Sequence, residues 1–385
     1  MTRKRALIYG WFGHENLGDE LILKSIVDSV RVADSNIIID VMGVKPDSIS
    51  RNHPEVNTVS TYVDKRIISI LRLFKYNPIN VIKNIFRADY LIIGSGGALS
   101  DWNRESTVTL FFLINLFKKV LSKPVVMLGV GAGPIVKDES KKNFKKVLQQ
   151  VDIIAVRDSE SYELLKKIGL ENVELTNDVV FELKDYFQKY KNNYNKSKDK
   201  NNKIGLVIAP LILNSIDKKN KYKEAIINYI LKCKTEELEV ILIPFQYEYD
   251  IDFILDIAHK SKANVFEQGR KNMWSIVDIL NNVDIVIGMR FHSVLISILL
   301  NKPVIPLIYH NKVYSIAKDF DLLELSQGIG DGSNWLDIDI DYNELFSSTK
   351  KVLSNIEFYK NSMNEKLNEN YTYKNIEILK RYFEK

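Results

Sequence analysis

Apolar residues along this chain fall into short dense runs, separated by longer stretches in which they recur every three or four positions. The runs RALIYG (5–10), NIIIDVMGV (36–44), ADYLIIGSG (88–96), KPVVMLGVG (123–131), DIIAVRD (152–158) and NVELTND (172–178) read as strands. They are continuous Val/Ile/Leu stretches rather than strict alternations, the pattern of strands buried on both faces of a parallel sheet. Helical patterns lie between them, for example Ile22, Ile26 and Val30 with Leu23 and Val27, an apolar stripe at i, i+4 spacing.

The rhythm breaks at KDYFQKYKNNYNKSKDKNNK (184–203), rich in Lys and Asn and nearly free of aliphatics, which reads as an exposed linker or long surface loop. A second series follows: strands at KIGLVIAP (203–210), EVILIPF (239–245), ANVFEQG (263–269), DIVIGMR (284–290) and KPVIPLIY (302–309), with helical patterns such as DIDFILDIAHKS (250–261) and MWSIVDILNNV (273–283) between them. From Tyr342 to Lys385 the chain is charged and amphipathic and predicts two helices. The expected architecture is α/β with two facing Rossmann-like, doubly wound domains. The first covers residues 1–183, a linker 184–203, the second 204–341, and C-terminal helices 342–385. In such folds ligands sit beyond the carboxyl ends of the strands, here expected in the cleft between the domains.

Composition narrows the class. The 385 residues are 45% hydrophobic and 27% charged, as in a globular soluble protein. No apolar run nears the roughly 18 residues that cross a bilayer. The N-terminal apolar stretch is too short for a signal peptide. One cysteine, Cys233, allows neither an internal disulfide nor a thiolate metal cluster. A cytoplasmic enzyme is expected. The net charge of +5 suits an anionic small molecule, a lipid-linked substrate or an anionic membrane surface. Nothing resembles a nucleic-acid module.

Four clusters carry candidate chemistry. In GWFGHENLGDELIL (10–23), Gly13 and Gly18 have the spacing of a phosphate loop, but Asp19 and Glu20 stand where that loop needs Lys and Ser/Thr. Glu20 reads as a first-turn acid complementing the helix dipole. Asn16 and Asp19 read equally as caps or as partners for sugar hydroxyls. Gly94-Ser95-Gly96-Gly97 and Gly129-Val130-Gly131-Ala132-Gly133-Pro134 both follow strands, and the second misses the dinucleotide fingerprint at Pro134. Arg157 ends a buried strand; it reads as an anion fork or as the partner of Asp158 or Asp178. In IGMRFHSVLISILLNKPVIPLIYHNKV (287–313), Arg290, Phe291 and His292 sit where a strand gives way to a helix, a place that attracts anions. His292 reads as an acid/base or as a cap, and Arg290 two residues earlier favours the former. Lys312 stands beyond the next strand. Asp337, Asp339 and Asp341 imitate the start of a calcium loop, but Tyr342 replaces its glycine and Ser348 its closing glutamate. No metal site is expected.

The ordered set Gly10-x-x-Gly13-x-x-Asn16-x-Gly18-Asp19-Glu20, Gly94–Gly97, Gly129-x-Gly131-x-Gly133-Pro134, Val156-Arg157-Asp158-x-x-Ser161, Asn177-Asp178 and Gly288-Met289-Arg290-Phe291-His292 resembles the polysaccharide pyruvyl transferase family from residue 10 to about residue 313. The resemblance implies a fold similar to two-domain, GT-B-like glycosyltransferases. It implies phosphoenolpyruvate as donor, a pyruvate ketal formed on two sugar hydroxyls, and no metal or cofactor. It implies that Arg157 and Arg290 hold the donor's carboxylate and phosphate, with Phe291 and Lys312 beside them, and that His292 is the acid/base. Phe291 replaces a commoner leucine, and Tyr309-His310-Asn311 departs from the family's tyrosine-x-proline before Lys312. Asn16, Asp19, Gly96, Gly97 and Asp178 are then expected at the acceptor or in the cleft loops. The acceptor would be a sugar in a cell-surface polysaccharide or its lipid- or nucleotide-linked precursor, reached in the cytoplasm or at the inner membrane face. Two rival readings remain: a nucleotide-sugar glycosyltransferase of the same architecture, and a non-catalytic binding protein keeping the fold.

Overall fold

The computed structural model describes residues 3–43, 45–60, 78–97, 99–101, 104–192, 202–210, 216–270, 272–328, 339–371 and 373–383. Among these the chain forms two parallel sheets, each flanked by helices. The first holds β1 (Arg5–Tyr9), β2 (Ile38–Gly43), β3 (Asn57–Ser60), β4 (Tyr90–Ile93), β5 (Val125–Val130), β6 (Ile153–Val156) and β7 (Val173–Leu175), in the order β3-β2-β1-β4-β5-β6-β7. The second holds β8 (Lys203–Val207), β9 (Glu239–Leu242), β10 (Asn264–Val265), β11 (Ile285–Gly288) and β12 (Val304–Pro306), in the order β10-β9-β8-β11-β12. In each sheet the strand order reverses about the first strand, so the chain is doubly wound, with switch points between β1 and β4 and between β8 and β11.

Burial explains the dense runs. Every residue of β4, β5, β6 and β11 is buried, because helices cover both faces. In the first sheet's core Leu91, Ile93, Val125, Met127 and Ile154 pack with Val81, Ile85, Leu113, Phe117 and Phe144 from the flanking helices. Each such side chain contributes roughly 1.5–3 kcal/mol when fully buried. β3 has no counterpart among the predicted strands. NTVS is a four-residue edge strand with one apolar residue, Val59, and it is held by Asn57 donating to the buried carboxylate of Asp40 at 2.9 Å.

By contacts the described chain divides into two units: residues 1–15, 19–183 and 372–385, and residues 16–18 and 184–371. Two expectations change. The stretch read as an exposed linker opens with a helix, Lys184–Asn192, because Phe187 is fully buried among its charged neighbours; residues 193–201 lie outside the described residues. The C-terminal stretch holds three helices rather than two. Tyr342–Ser354 and Ile356–Asn370 belong to the second unit, where Tyr229 and Thr349 share a 2.9 Å hydroxyl hydrogen bond. Lys374–Phe383 belongs to the first. Its Asn375 amide donates to Glu182 Oε1 at 2.9 Å, its Asn375 side chain donates to the Asn177 carbonyl at 3.1 Å, and Arg381 pairs with Glu174 at 2.8 Å. Asp341 caps helix Tyr342–Ser354, accepting from the amides of Asn343 and Glu344, and Asp337 lies outside the described residues.

Candidate functional site

In the first unit Arg157 is the residue that follows β6. Asp158 then caps the next helix, its Oδ1 accepting from the Ser161 amide at 2.8 Å, so the backbone around Arg157 is fixed by local capping. The guanidinium is nearly buried. Its Nη1 donates to Asp178 Oδ2 at 3.2 Å and its Nε meets Asp158 Oδ2 at 3.4 Å. Both glycine clusters close around it. A Cβ on Gly96 would lie 3.0 Å from Arg157 Nη1, and one on Gly131 would lie 2.9 Å from Nη2 and 2.6 Å from the Gly96 carbonyl. These glycines are the space the arginine occupies. Gly97 has nothing within 4 Å of its Cβ position, so the loop is open there. The chain just after the first cluster bonds to the second, the Gly133 amide donating to the Leu99 carbonyl at 2.6 Å. Asp178, expected at the acceptor or cleft loop, is a buried partner of Arg157 whose Oδ1 also accepts from the Val180 amide at 3.1 Å.

The opening loop differs from the simple first-turn reading of its acids. Glu20 is fully buried: its Oε1 accepts from the Gly13 amide at 2.7 Å and its Oε2 lies 3.0 Å from His53 Nε2. The carboxylate therefore closes the glycine loop on itself, as well as standing in the first turn of helix Leu17–Ala33. Asp19 is half-buried in the same turn.

The second unit carries the other set. β11 ends at Gly288, paired on one side with Val207 of β8 and on the other with Pro306 of β12. Arg290 is thus at this sheet's switch point, as the N-cap of helix Phe291–Leu299. Asp250 holds it. This carboxylate is fully buried in the first turn of helix Tyr247–Ser261, accepts from the Phe245 and Gln246 amides at 3.1 and 2.9 Å, and accepts from Arg290 Nε at 3.2 Å and from Nη2. The pair is a side-on fork, the strong geometry for guanidinium and carboxylate. It leaves the Nη1 group of Arg290, whose side chain is 16% exposed, outside any hydrogen bond among the described residues. Tyr249 lies under the guanidinium, 5.8 Å from ring centre to Cζ.

His292 is in the first turn of helix Phe291–Leu299, half-buried, and its ring meets that of Phe291 edge-on at 5.0 Å. Asn16–Gly18 cluster with this unit: Asn16 bridges to Gln246 and its Oδ1 accepts from the Gly18 amide at 3.1 Å, which is a helix cap. A Cβ on Gly18 would lie 2.2 Å from His292 Nδ1, so only glycine leaves room for the imidazole in this position. Lys312 opens helix Asn311–Asp319 after β12, at the same carboxyl edge, with its amide 3.3 Å from His310 Nδ1.

The structure therefore brings Arg157, Asp178 and Gly96 together in one unit. In the other it gathers Arg290, Phe291, His292, Asn16 and Gly18, with Lys312 in the first turn of the helix that follows β12. Sequence reasoning missed Asp250, Gly131 as a guanidinium seat, and the Glu20–His53 pair. Asp250 had one signal, its place in the first turn of a helix that follows an apolar strand. Among the described residues no three His, Cys, Asp or Glu side chains are placed to hold a metal ion. A groove of about 590 Å³ is lined by Ser100, Asp101, Phe111, Lys137 and Phe144, among others, and contains none of the candidate residues. The candidate arginines lie instead at strand ends, Arg157 beside the buried Asp178 and Arg290 beside the buried Asp250.

The family model for polysaccharide pyruvyl transferases matches residues 16–311. The amylovoran biosynthesis protein AmsJ of Erwinia amylovora is 22% identical over 191 residues, a match that spans 43% of this chain and 45% of that protein. Among solved structures, S. aureus MnaA bound to UDP superposes with a TM-score of 0.64 at 14% identity, covering 100% of this chain and 97% of that one. The UDP-GlcNAc 2-epimerase of Methanocaldococcus jannaschii gives a TM-score of 0.58 at 11% identity, with 99% of both chains covered. At these identities the likeness is one of fold: the chain has the two-domain, Rossmann-like, GT-B-like architecture.

Proposed function

As the chain belongs to the polysaccharide pyruvyl transferase family, we propose that it moves the pyruvyl group of phosphoenolpyruvate onto two hydroxyls of a sugar in a cell-surface polysaccharide or its precursor. The observation that carries this reading is the Arg290–Asp250 fork at the end of β11, with His292 two residues further on, in the first turn of the following helix.

The reaction needs a proton on the donor's methylene carbon, a bond from a sugar oxygen to the donor's central carbon, and loss of phosphate from that carbon. A second sugar oxygen then completes the ketal. Of the two hydroxyl protons, one replaces the proton spent on the new methyl group and the other leaves with phosphate. His292 supplies and recovers the proton. Arg157 and Arg290 serve the donor's carboxylate and phosphate, each oriented by a buried aspartate so that little rotamer entropy is lost on binding. Lys312 adds charge for the leaving phosphate, and Phe291 packs the imidazole from its edge. Asn16, Asp19, Gly96 and Gly97 serve the acceptor and the loops that receive it. The cations take the role a metal would have, so no metal is required. The acceptor is carried as a lipid- or nucleotide-linked sugar or as polymer, in the cytoplasm or at the inner membrane face.

The test is incubation with phosphoenolpyruvate and a panel of sugar acceptors, following phosphate release and the mass gain of one pyruvate ketal on the sugar. Transfer from a nucleotide sugar, with phosphoenolpyruvate left intact, would replace this reading by glycosyl transfer.

A further inference from the structure

Helix Pro78–Arg87 of the first unit has two apolar faces. Val81 and Ile85 point into the core and are buried. Ile79, Ile82 and Phe86, spaced i, i+3 and i+7 along another face, are exposed, Ile79 at 78% and Phe86 at 55%. Lys83 and Arg87 stand exposed on the same helix. Lys123 ties a second segment to it by donating to the carbonyls of Phe86, at 2.7 Å, and Ala88. That segment presents Val120, 66% exposed, beside the exposed Lys119. Neither stretch, 78–88 or 116–124, contains an acidic residue. Lys83, Arg87 and Lys119 are in no ion pair among the described residues, whereas Lys118 is committed to Asp152 at 2.8 Å. The next acid along the chain, Asp89, accepts from the Arg5 amide at 2.7 Å.

We propose that this face docks on an anionic lipid bilayer. Large exposed apolar side chains clustered on one helix mark an interaction surface. Cations among them fit a partner that offers negative charge at its surface and apolar depth beneath it, which is the chemistry of an anionic leaflet. A second copy of this chain fits less well, since a twofold contact would set these cations against themselves without acids to pair them. No described helix is long and apolar enough to cross a membrane, so the contact is one of attachment. Docking is independent of the transfer chemistry and is read by binding, not by activity.

The experiment measures co-sedimentation of the full chain with vesicles of phosphatidylglycerol and phosphatidylcholine against vesicles of phosphatidylcholine alone, at low and high salt. The wild-type chain should bind the anionic vesicles and release as salt rises. Lys83→Gln with Arg87→Gln should lose about fivefold per charge. Ile82→Ser with Phe86→Ser should lose about tenfold or more. Val32→Ser, an exposed apolar residue elsewhere on this unit, should bind as wild type. All variants change exposed side chains and should melt with the wild type. Absence of binding to anionic vesicles, equal binding to neutral ones, or unchanged binding in both double variants would overturn the proposal. So would a wild-type dimer that Ile82→Ser with Phe86→Ser dissociates while vesicle binding persists, which would assign the face to a second copy.

Discussion

Asp250→Asn tests the architecture of the second unit's candidate site. The carboxylate is fully buried and its fork partner, the Arg290 side chain, is 16% exposed, so the charge it balances is only partly solvated. Removing one member of a buried ion pair costs about 3–5 kcal/mol. The amide keeps one acceptor oxygen for the Phe245 and Gln246 amides, and water reaches one side of the guanidinium, so the lower figure applies, about 3 kcal/mol. For a domain of 150–250 residues each kcal/mol shifts Tm by about 2–4 °C, which gives a fall of about 6–12 °C. Phosphoenolpyruvate should then raise Tm more in the variant than in the wild type, because a bound anion supplies charge that the variant lacks. Arg290→Leu should abolish that rise, and Arg290→Leu with Asp250→Leu should recover stability while still failing to respond. Thermal melting by circular dichroism, with and without donor, reads all four proteins. An Asp250→Asn protein melting within about 2 °C of wild type would refute the claim that this carboxylate holds Arg290 in place.

His292→Gln should fold, bind phosphoenolpyruvate and lose transfer by about 10²–10⁴-fold at saturating donor; near-normal turnover would leave His292 as a helix residue only. Arg157→Ala should weaken donor binding at least about tenfold, with Arg157→Lys rescuing it in part because one ammonium cannot make the fork; calorimetric titration checks both. Burial raises the Glu182 carboxyl from its ordinary 4.5 to about 7, against the amide of Asn375 that favours its anion. The folded chain therefore holds a proton that the unfolded chain releases, and stability should fall as pH rises from about 4.5 to about 7, by at most about 3 kcal/mol, then level off. Urea unfolding of Glu182→Gln at pH 5 and pH 8 should lack that fall. Turnover after exhaustive chelation should equal turnover before it, and a loss restored by a divalent ion would reopen the glycosyl-transfer reading.

What the sequence determined by itself is what local periodicity and local chemistry can carry. Continuous Val/Ile runs such as VVMLGV and IVIG are buried on both faces, which requires a parallel sheet with helices on each side, and every described strand but β3 falls within one of the segments read as strands from the sequence. A strand that turns at once into a helix leaves its last residues at the carboxyl edge, so Arg157, Arg290 and His292 were legible as candidates. β3 was not legible, because its four residues offer a single apolar side chain and its place comes from β2 beside it. Helix Lys184–Asn192 hid for the same reason, with Phe187 as its one fully buried ring. The tertiary structure alone decided which carboxylate holds which arginine. Asp250 lies 40 residues before Arg290, and Asp178 lies 21 after Arg157. The structure alone decided that Gly96 and Gly131 leave room for one guanidinium and Gly18 for one imidazole. It also decided that Lys374–Phe383 packs with the first unit although it follows the second in the chain. Periodicity is a property of neighbours along the chain. An ion pair or a missing Cβ is a property of neighbours in space, and strand order, which no single segment encodes, brings those neighbours together.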